Sequence, residues 1–163
     1  MKFRTTRFGE IEFTDEVVMS FPEGVLGFPD NKRYILLEHD ANGSPFKWLQ
    51  SLDNADLAFI VLDPYQIVSD YRFEIDVDTE RIIGTDLPNC CALMAIATIP
   101  HNAPLMMTAN LKAPLVVNVE TRRGRQVVLS TNCYQINSPV FTTLGGGKTD
   151  EECEFVEMER AAS

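Results

Sequence analysis

The sequence has few basic residues and no long apolar run, and these two shortages exclude several classes of function. The 163-residue chain contains 14 Lys and Arg against 24 Asp and Glu, which gives a formal net charge of −10. General binding to DNA or RNA needs a basic surface against phosphate, so the composition argues against it. No stretch approaches the ~20 apolar residues of a spanning helix or carries the pattern of a signal peptide. We therefore expect a cytoplasmic protein that binds neither nucleic acid directly nor a membrane.

Catalytic and metal-binding motifs are also scarce. The chain has two histidines and four cysteines, and the cysteines are Cys90, Cys91, Cys133 and Cys153. Their spacing matches neither a zinc site nor a disulfide framework. There is no complete phosphate-binding loop and no nucleophile elbow, and "DVDTE" lacks the remaining ligands of a calcium loop. The sequence thus predicts a protein that is not an enzyme and requires no metal or other cofactor; a small hydrolase or metal enzyme is the weakest alternative.

What the chain does contain is a series of short segments rich in β-branched and aromatic residues, separated by turn-forming residues. One short helix is predicted at 76–84, with an Asp or Thr cap and Gly84 as its stop. The spacing favours an all-β fold: a compact, antiparallel, β-barrel-like single domain with little helix. The predicted strands are 34–39, 46–51, 57–63, 71–76, 92–99, 115–120 and 126–131, with two more in 7–13 and 16–22.

The composition changes at Gly145, where three consecutive glycines form a predicted hinge. We therefore divide the chain into a β-barrel domain at 1–144 and a hinge with an acidic tail at 145–163. Thr149 and Glu152 have the spacing of a capping box, which favours a short helix, although a solvated and disordered terminus is the equal alternative. The acidic residues of the tail are Asp150, Glu151, Glu152, Glu154, Glu157 and Glu159.

The most apolar part of the chain is interrupted by Pro100, Pro104 and Pro114. Proline removes a ladder donor and belongs at strand starts, edges or bulges, so these positions predict where strands break and reach the surface. Met106 and Met107, between the prolines, are adaptable groups that suit a docking surface. Plugging one end of a barrel is the alternative role for both.

Five segments, taken in order, resemble the bacterial flagellar assembly factor FliW family. They are "FPEGVLGFPDNKRYILL" (21–37), "PFKWLQSLDNADLAFIVLDP" (45–64), "IATIP" (96–100), "MTANLKAPLVVN" (107–118) and "GRQVVL" (124–129). Together they span most of residues 1–141, and the ordered set is far more specific than any single segment. The acidic tail lies outside them.

The resemblance implies a compact β-barrel that regulates by binding proteins. Members of the family bind flagellin through its terminal helical region, and they bind the translational repressor CsrA in competition with flagellin. Sequestering CsrA relieves repression of flagellin mRNA and couples flagellin synthesis to secretion. An interaction module or flagellin chaperone for a different pair of partners, without CsrA, is the alternative.

We expect a monomer whose partner surface lies near the prolines and in the 46–54 segment. The acidic tail is expected to project negative potential toward the RNA-binding face of CsrA. The "EGVLGF" segment is expected to be a structural turn, with direct contact as the alternative. The candidate partner-binding residues are Phe46, Leu49, Gln50, Asn54, Pro100, Met106, Met107, Asn110 and Leu111.

Overall fold

The computed structural model describes residues 1–38 and 44–141. These residues form an all-β structure with one short α-helix, as the sequence predicts. The helix, α1, is Val77–Ile83. The strands are β1 Lys2–Thr5, β2 Gly9–Glu12, β3 Met19–Ser20, β4 Arg33–Glu38, β5 Phe46–Ser51, β6 Ala58–Leu62, β7 Cys91–Thr98, β8 Thr108–Ala109, β9 Leu115–Asn118, β10 Gly124–Gln126 and β11 Ser138–Pro139.

Nine strands form one antiparallel sheet, whose main path runs β10-β9-β7-β6-β5-β4-β3. β8 pairs with β7 and with β11, and β1 and β2 form a separate hairpin. The sheet is curled, and its two ends approach each other. An isolated parallel bridge between Ser20 and Arg123 shows this approach. The N–H of Ser20 donates to the carbonyl of Arg122 at 2.8 Å. A single bridge is not a ladder, so the predicted barrel is corrected to a curled sheet that is not closed.

Both faces of the sheet are buried, and successive residues of the central strands alternate between two apolar clusters. The inner cluster lies inside the curl and includes Leu49, Val61 and Val117. The outer cluster includes Leu62 and Val116, and it is covered by the β6–β7 connection and by residues that follow β10. This alternation explains why all four residues of β9 are buried.

The predicted helix at 76–84 is confirmed, and its ends are set by the expected residues. The carboxylate of Asp76 accepts a hydrogen bond from the N–H of Thr79 at 2.7 Å. Gly84 ends the helix with φ 89°, in the left-handed region that glycine tolerates best. Ile83 is fully buried, so the helix covers the outer cluster.

Two predicted strands are wrong as assigned. Residues 71–76 contain no strand, and they cover the outer cluster as irregular chain, with the Tyr71 hydroxyl donating to the carbonyl of Leu111. In the 126–131 segment the strand ends at Gln126. Beyond it, the N–H groups of Val127 and Leu129 donate to Pro114 and Lys112, which belong to an irregular segment rather than to a strand.

That irregular segment, residues 110–114, is a large bulge. It explains why Pro114 is tolerated near the centre of an apolar run. β8 and β9 both pair with the same edge of β7, with Ala109 opposite Ala97 and Leu115 opposite Met94. Two residues of β7 thus lie opposite five residues of the bulge. The side-chain oxygen of Asn110 accepts from the N–H groups of Lys112 and Ala113 and folds the bulge into a compact turn.

Some predictions fall on residues outside the described ranges. The sequence also predicts a hairpin turn at Asn42-Gly43, because this pair readily adopts positive φ. That turn, the hinge at 145–147 and the acidic tail residues all lie there. The division into 1–144 and 145–163 therefore stays a prediction. Within the described ranges, none of the helices has the length and apolar character needed to cross a bilayer.

Candidate functional site

The structure separates the sequence-predicted partner residues into surface and core positions. Asn54 and Met106 are exposed, and Phe46, Pro100 and Asn110 are half-buried. The other four lie in the core with at most 6% of their surface exposed: Leu49, Gln50, Met107 and Leu111. A partner that docks on this conformation can contact the exposed and half-buried residues but not the four buried ones. Of the two adjacent methionines, Met106 is exposed and Met107 is buried.

The buried candidates have identifiable structural roles. Gln50 is fully buried, and its amide donates to the carbonyls of Ser51 and Leu57 at 2.9 and 3.1 Å. It therefore fixes the loop between β5 and β6. Leu49 belongs to the inner cluster and Leu111 to the outer cluster, so each packs within one of the two apolar layers.

The exposed candidates lie at one end of the sheet, the end that carries segments 21–32, 52–57 and 99–107; we call it the loop end. β4 and β6 begin here, and β5 and β7 end here, because these four strands are antiparallel neighbours. The carboxylate of Asp53 accepts from the N–H groups of Lys32 and Arg33 at 2.8 and 2.9 Å and joins two of the three segments.

The first segment of the loop end is a tight turn that exposes a leucine. Val25 and Phe28 bond to each other through their backbones, so Leu26 and Gly27 form the tip. Gly24 has φ 73°, and a β-carbon on it would lie 2.5 Å from the carbonyl oxygen of Phe28. Only glycine fits there, which explains the "EGVLGF" pattern. Leu26 is 61% exposed on this rigid support.

The second segment is stiffened by polar side chains. The hydroxyl of Ser51 accepts from the N–H groups of Asp53 and Asn54, both at 3.0 Å. Burial acts to raise the pKa of Asp53, but hydrogen bonds from Lys32 and Arg33 and the positive charge of Arg33 outweigh it, so the pKa lies below its usual value. Asp53 thus stays ionised and keeps two segments together, while Asn54 remains exposed beside it.

The third segment supplies the largest apolar exposure at the loop end. A short 3-10 turn at Pro104–Met106 leaves Leu105 77% and Met106 67% exposed. Met107 is buried immediately after it, and its carbonyl accepts from the N–H of Val140 at 3.0 Å. The exposed pair therefore stands on a fixed support, a requirement for binding without a large ordering cost.

Leu26, Phe28, Ile99 and Leu105 are exposed apolar residues of the loop end that were missing from the sequence-predicted set. The sequence does contain a signal that Leu26 is exposed. An apolar residue between Gly24 and Gly27 lies at the tip of a turn when both glycines have positive φ. The signal for Leu105 was also present, because a residue between Pro104 and a methionine pair has little strand character.

The loop end exposes apolar side chains on loops that are held by hydrogen bonds. Among residues 1–38 and 44–141, no three His, Cys, Asp or Glu side chains lie close enough together to hold a metal ion. Exposed acidic residues share two of the three segments: Asp30 lies on the first, which also carries Leu26, and Asp56 lies on the second. An apolar centre with a polar rim is the usual anatomy of a protein-binding surface.

Comparisons with known proteins agree on one family. The family described as FliW protein matches residues 2–140. A flagellar assembly factor FliW of Caldanaerobacter subterraneus subsp. tengcongensis is 38% identical over 88% of this chain and 95% of its own length. The FliW of Syntrophus aciditrophicus is 41% identical over 90% and 94%. A crystal structure of the flagellar assembly factor FliW superposes with a TM-score of 0.77 at 30% identity, covering 86% of this chain and 97% of the other.

Proposed function

Because this chain belongs to the FliW family, we propose that it is a flagellar assembly factor that acts by binding other proteins. The finer proposal is that it sequesters the translational repressor CsrA and binds flagellin in competition. Sequestration would release flagellin mRNA for translation, and free flagellin would take the protein back from CsrA. Flagellin synthesis would then follow flagellin export.

The observation that supports this proposal best is the set of exposed apolar side chains on braced loops. Leu26, Leu105 and Met106 are each more than half exposed, although each lies within two residues of a buried one. The terminal regions of flagellin are amphipathic helices, and the apolar face of such a helix fits an apolar surface of this kind. Burying a few anchors at the centre supplies most of the affinity in typical interfaces.

Charge supports CsrA as the second partner. The chain carries a net charge of −10, and a protein that binds RNA must present basic residues to phosphate. An acidic protein is therefore attracted to CsrA and repels its RNA. We propose that the six acidic residues of the tail, which lie outside the described ranges, contribute to that repulsion. In this proposal the protein works in the cytoplasm as a monomer.

Two titrations test the proposal. Purified protein is titrated into CsrA by calorimetry, and flagellin from the same organism is then added to the preformed complex. We expect a CsrA complex that flagellin dissolves. If flagellin binds but CsrA gives no heat and no complex by size exclusion, the alternative of a flagellin chaperone without CsrA replaces the proposal. If neither protein binds, the loop end serves a different pair of partners.

A further inference from the structure

A second feature of interest lies at the opposite end of the sheet, away from the loop end. There an open cavity of about 280 Å³ enters the inside of the curl. Its walls include Leu36, Val61, Met94 and Val117 of the inner cluster, and the exposed Ala92 borders it. Pockets for drug-sized molecules span about 300–1,000 Å³. This cavity lies at the lower limit of that range and has room for one large apolar side chain.

One wall of the cavity is a strand with an incomplete neighbour. β3 pairs with Arg33 and Tyr34 of β4 and extends no further along it. The carbonyl of Lys32 accepts from Phe21 on the β3 side, and the carbonyl of Arg33 accepts from Leu52 on the β5 side. Backbone groups alternate along a strand, so the N–H and C=O of Leu36 face the β3 side too.

The outer edge of β4 is therefore unpaired beyond Tyr34. Within residues 1–38 and 44–141, no backbone hydrogen bond reaches Leu36 or Glu38 on that side. The chain before β3 does not extend along β4, because Asp15–Val17 forms a 3-10 turn. The guanidinium of Arg122 holds the carbonyl of Val17 at 3.1 Å and keeps this turn beside the 119–123 turn.

Leu36 belongs to both features, since its backbone forms the free edge and its side chain lines the cavity. In an antiparallel pair, two residues that face each other project their side chains to the same side of the sheet. A residue placed opposite Leu36 on an added strand would thus direct its side chain toward the cavity. Its neighbours on either side would point to the outer face.

We propose that the free edge of β4 and the cavity beside it form a second protein-binding site, which takes an extended segment of a partner protein. The segment adds an antiparallel strand next to Leu36 and Glu38, and one bulky apolar side chain of it enters the cavity. This mode is β-strand addition, in which backbone bonds give affinity and a pocket for alternate side chains gives specificity. The site is separate from the loop end and does not depend on which partners bind there.

The unpaired backbone groups of β4 favour an extended chain as the occupant of this site. A helix satisfies its own backbone groups, so it cannot pair with the edge of a strand. A small apolar molecule would fill the cavity but would leave the N–H and C=O of Leu36 without a partner. Only an extended segment satisfies both features at once. The short length of the free edge, limited by Met19 on one side, restricts pairing to a few residues.

A defined peptide tests this proposal on the full-length protein. The probe is acetyl-Thr-Lys-Thr-Leu-Thr-Lys-Thr-amide, in which the threonines favour an extended chain. Titration into 15N-labelled protein should shift the amide resonances of Leu36, Glu38, Met94 and Val117. A peptide with alanine in place of leucine should bind about tenfold or more weakly. A peptide with N-methyl-leucine, which lacks the donor for the Leu36 carbonyl, should lose as much.

Two substitutions separate the cavity from the edge. Ala92→Phe places a ring at the border of the cavity, and Glu38→Pro removes an outward N–H from β4. Each should weaken the leucine peptide about tenfold. Glu38→Gln is the matched control, since it loses the 3.6 Å ion pair with Lys47 but keeps the N–H. Thermal unfolding and the unshifted resonances of the loop end verify that each variant is folded.

The remaining outcomes overturn the proposal in distinguishable ways. No resonance shifts at millimolar peptide, or shifts confined to the loop end, would reject the site. Equal binding of the leucine and N-methyl-leucine peptides, together with binding of a fluorescent fatty acid that Ala92→Phe blocks, would reassign the cavity to a small apolar ligand. A dimer in sedimentation that Glu38→Pro dissociates would reassign the edge to a second copy of this chain. None of these outcomes bears on CsrA or flagellin binding.

Discussion

The side-chain carbonyl of Gln126 accepts a hydrogen bond from the backbone N–H of Leu26 at 2.8 Å, although the two residues are 100 positions apart. The amide nitrogen of the same Gln126 donates to the carbonyl of Ala113 at 3.0 Å. One side chain thus connects the exposed turn at the loop end to the bulge between β8 and β9. The exposed leucine is held in place by the C-terminal half of the described chain.

Replacing Gln126 should loosen that turn. Gln126→Ala removes both hydrogen bonds, and we expect about 1–2 kcal/mol less stability and faster hydrogen exchange at the Leu26 amide. Gln126→Glu keeps the acceptor for Leu26 but loses the donor to Ala113, so the Leu26 amide should stay protected. Exchange rates measured by NMR check both variants. Equal protection of Leu26 in the alanine and wild-type proteins would contradict the bracing role.

Two glycines of the same turn should respond differently to alanine. At Gly24 a β-carbon would approach the carbonyl of Phe28 to 2.5 Å, and φ is 73°, so Gly24→Ala should cost more than about 2 kcal/mol. At Gly27 nothing lies within 4 Å, so Gly27→Ala should cost only about 1 kcal/mol for its positive φ. Urea unfolding of both variants gives the comparison. A larger loss at Gly27 than at Gly24 would show that crowding is not what requires glycine.

Exposed apolar residues at the loop end should carry flagellin binding. We expect the double variant Leu105→Ser with Met106→Ser to lose about 2 kcal/mol or more of binding free energy, because both side chains are exposed and available as anchors. Its unfolding free energy should stay close to wild type. Val77→Ser, an exposed apolar position on α1 outside the three loop-end segments, is the control. Calorimetry with flagellin at low and moderate salt checks this, and a strong salt dependence with no effect of the double variant would count against an apolar interface.

Removing the acidic tail should separate CsrA binding from RNA release. Deletion of residues 148–163 is expected to leave CsrA binding intact and to weaken RNA displacement, because it removes six acidic and two basic residues. Single neutralisations should have little effect, since an exposed charge contributes a few tenths of a kcal/mol. A tail with all six acids changed to their amides is the control of equal length. Unchanged RNA displacement at matched CsrA occupancy would show that the tail has no such role.

Asp53 should contribute stability that depends on pH. Its pKa in the folded protein lies below the ordinary 3.8, so its contribution is present above pH 3.8 and is lost as the pH falls through the lower folded value. Asp53→Asn should therefore cost about 1 kcal/mol at neutral pH, with the difference shrinking in acid. Asp30→Asn, an exposed site in the adjoining segment, is the control. A constant difference between wild type and Asp53→Asn from neutral pH to pH 3 would refute the linkage.

The central strands and the helix could be predicted from the sequence because their signals are local. The apolar run of β7 and the Asp76 and Gly84 ends of α1 identify those elements without any knowledge of the neighbours. The strand predicted at 71–76 failed for a non-local reason. Its aromatic residues cover the outer cluster as irregular chain, and this packing cannot be distinguished from pairing by composition.

The candidate site was harder to predict than the fold. Met106 and Met107 are identical in type and adjacent, yet one is exposed and the other buried. The difference arises where the 3-10 turn at 104–106 ends and the chain begins to pair with β7 and β11, and that boundary depends on distant strands. Gln50, a candidate partner-binding residue, is fully buried in β5, because its side chain reaches back to the carbonyl of Leu57 in the loop that follows the strand.

The contact between the two ends of the curled sheet also bears on the order of events during synthesis. The hairpins β4–β5 and β5–β6 join residues that leave the ribosome close together in time, and they can form early. The bridge from Ser20 to Arg123, and the bond from Arg122 to Val17 across 105 positions, must wait until the chain has emerged well beyond β9. Until then the apolar residues of β3 and of the turn next to it are not covered by the β9–β10 end of the sheet. A nascent chain paused before residue 120 should therefore be a substrate for general chaperones, and release of that chaperone should follow the emergence of β10.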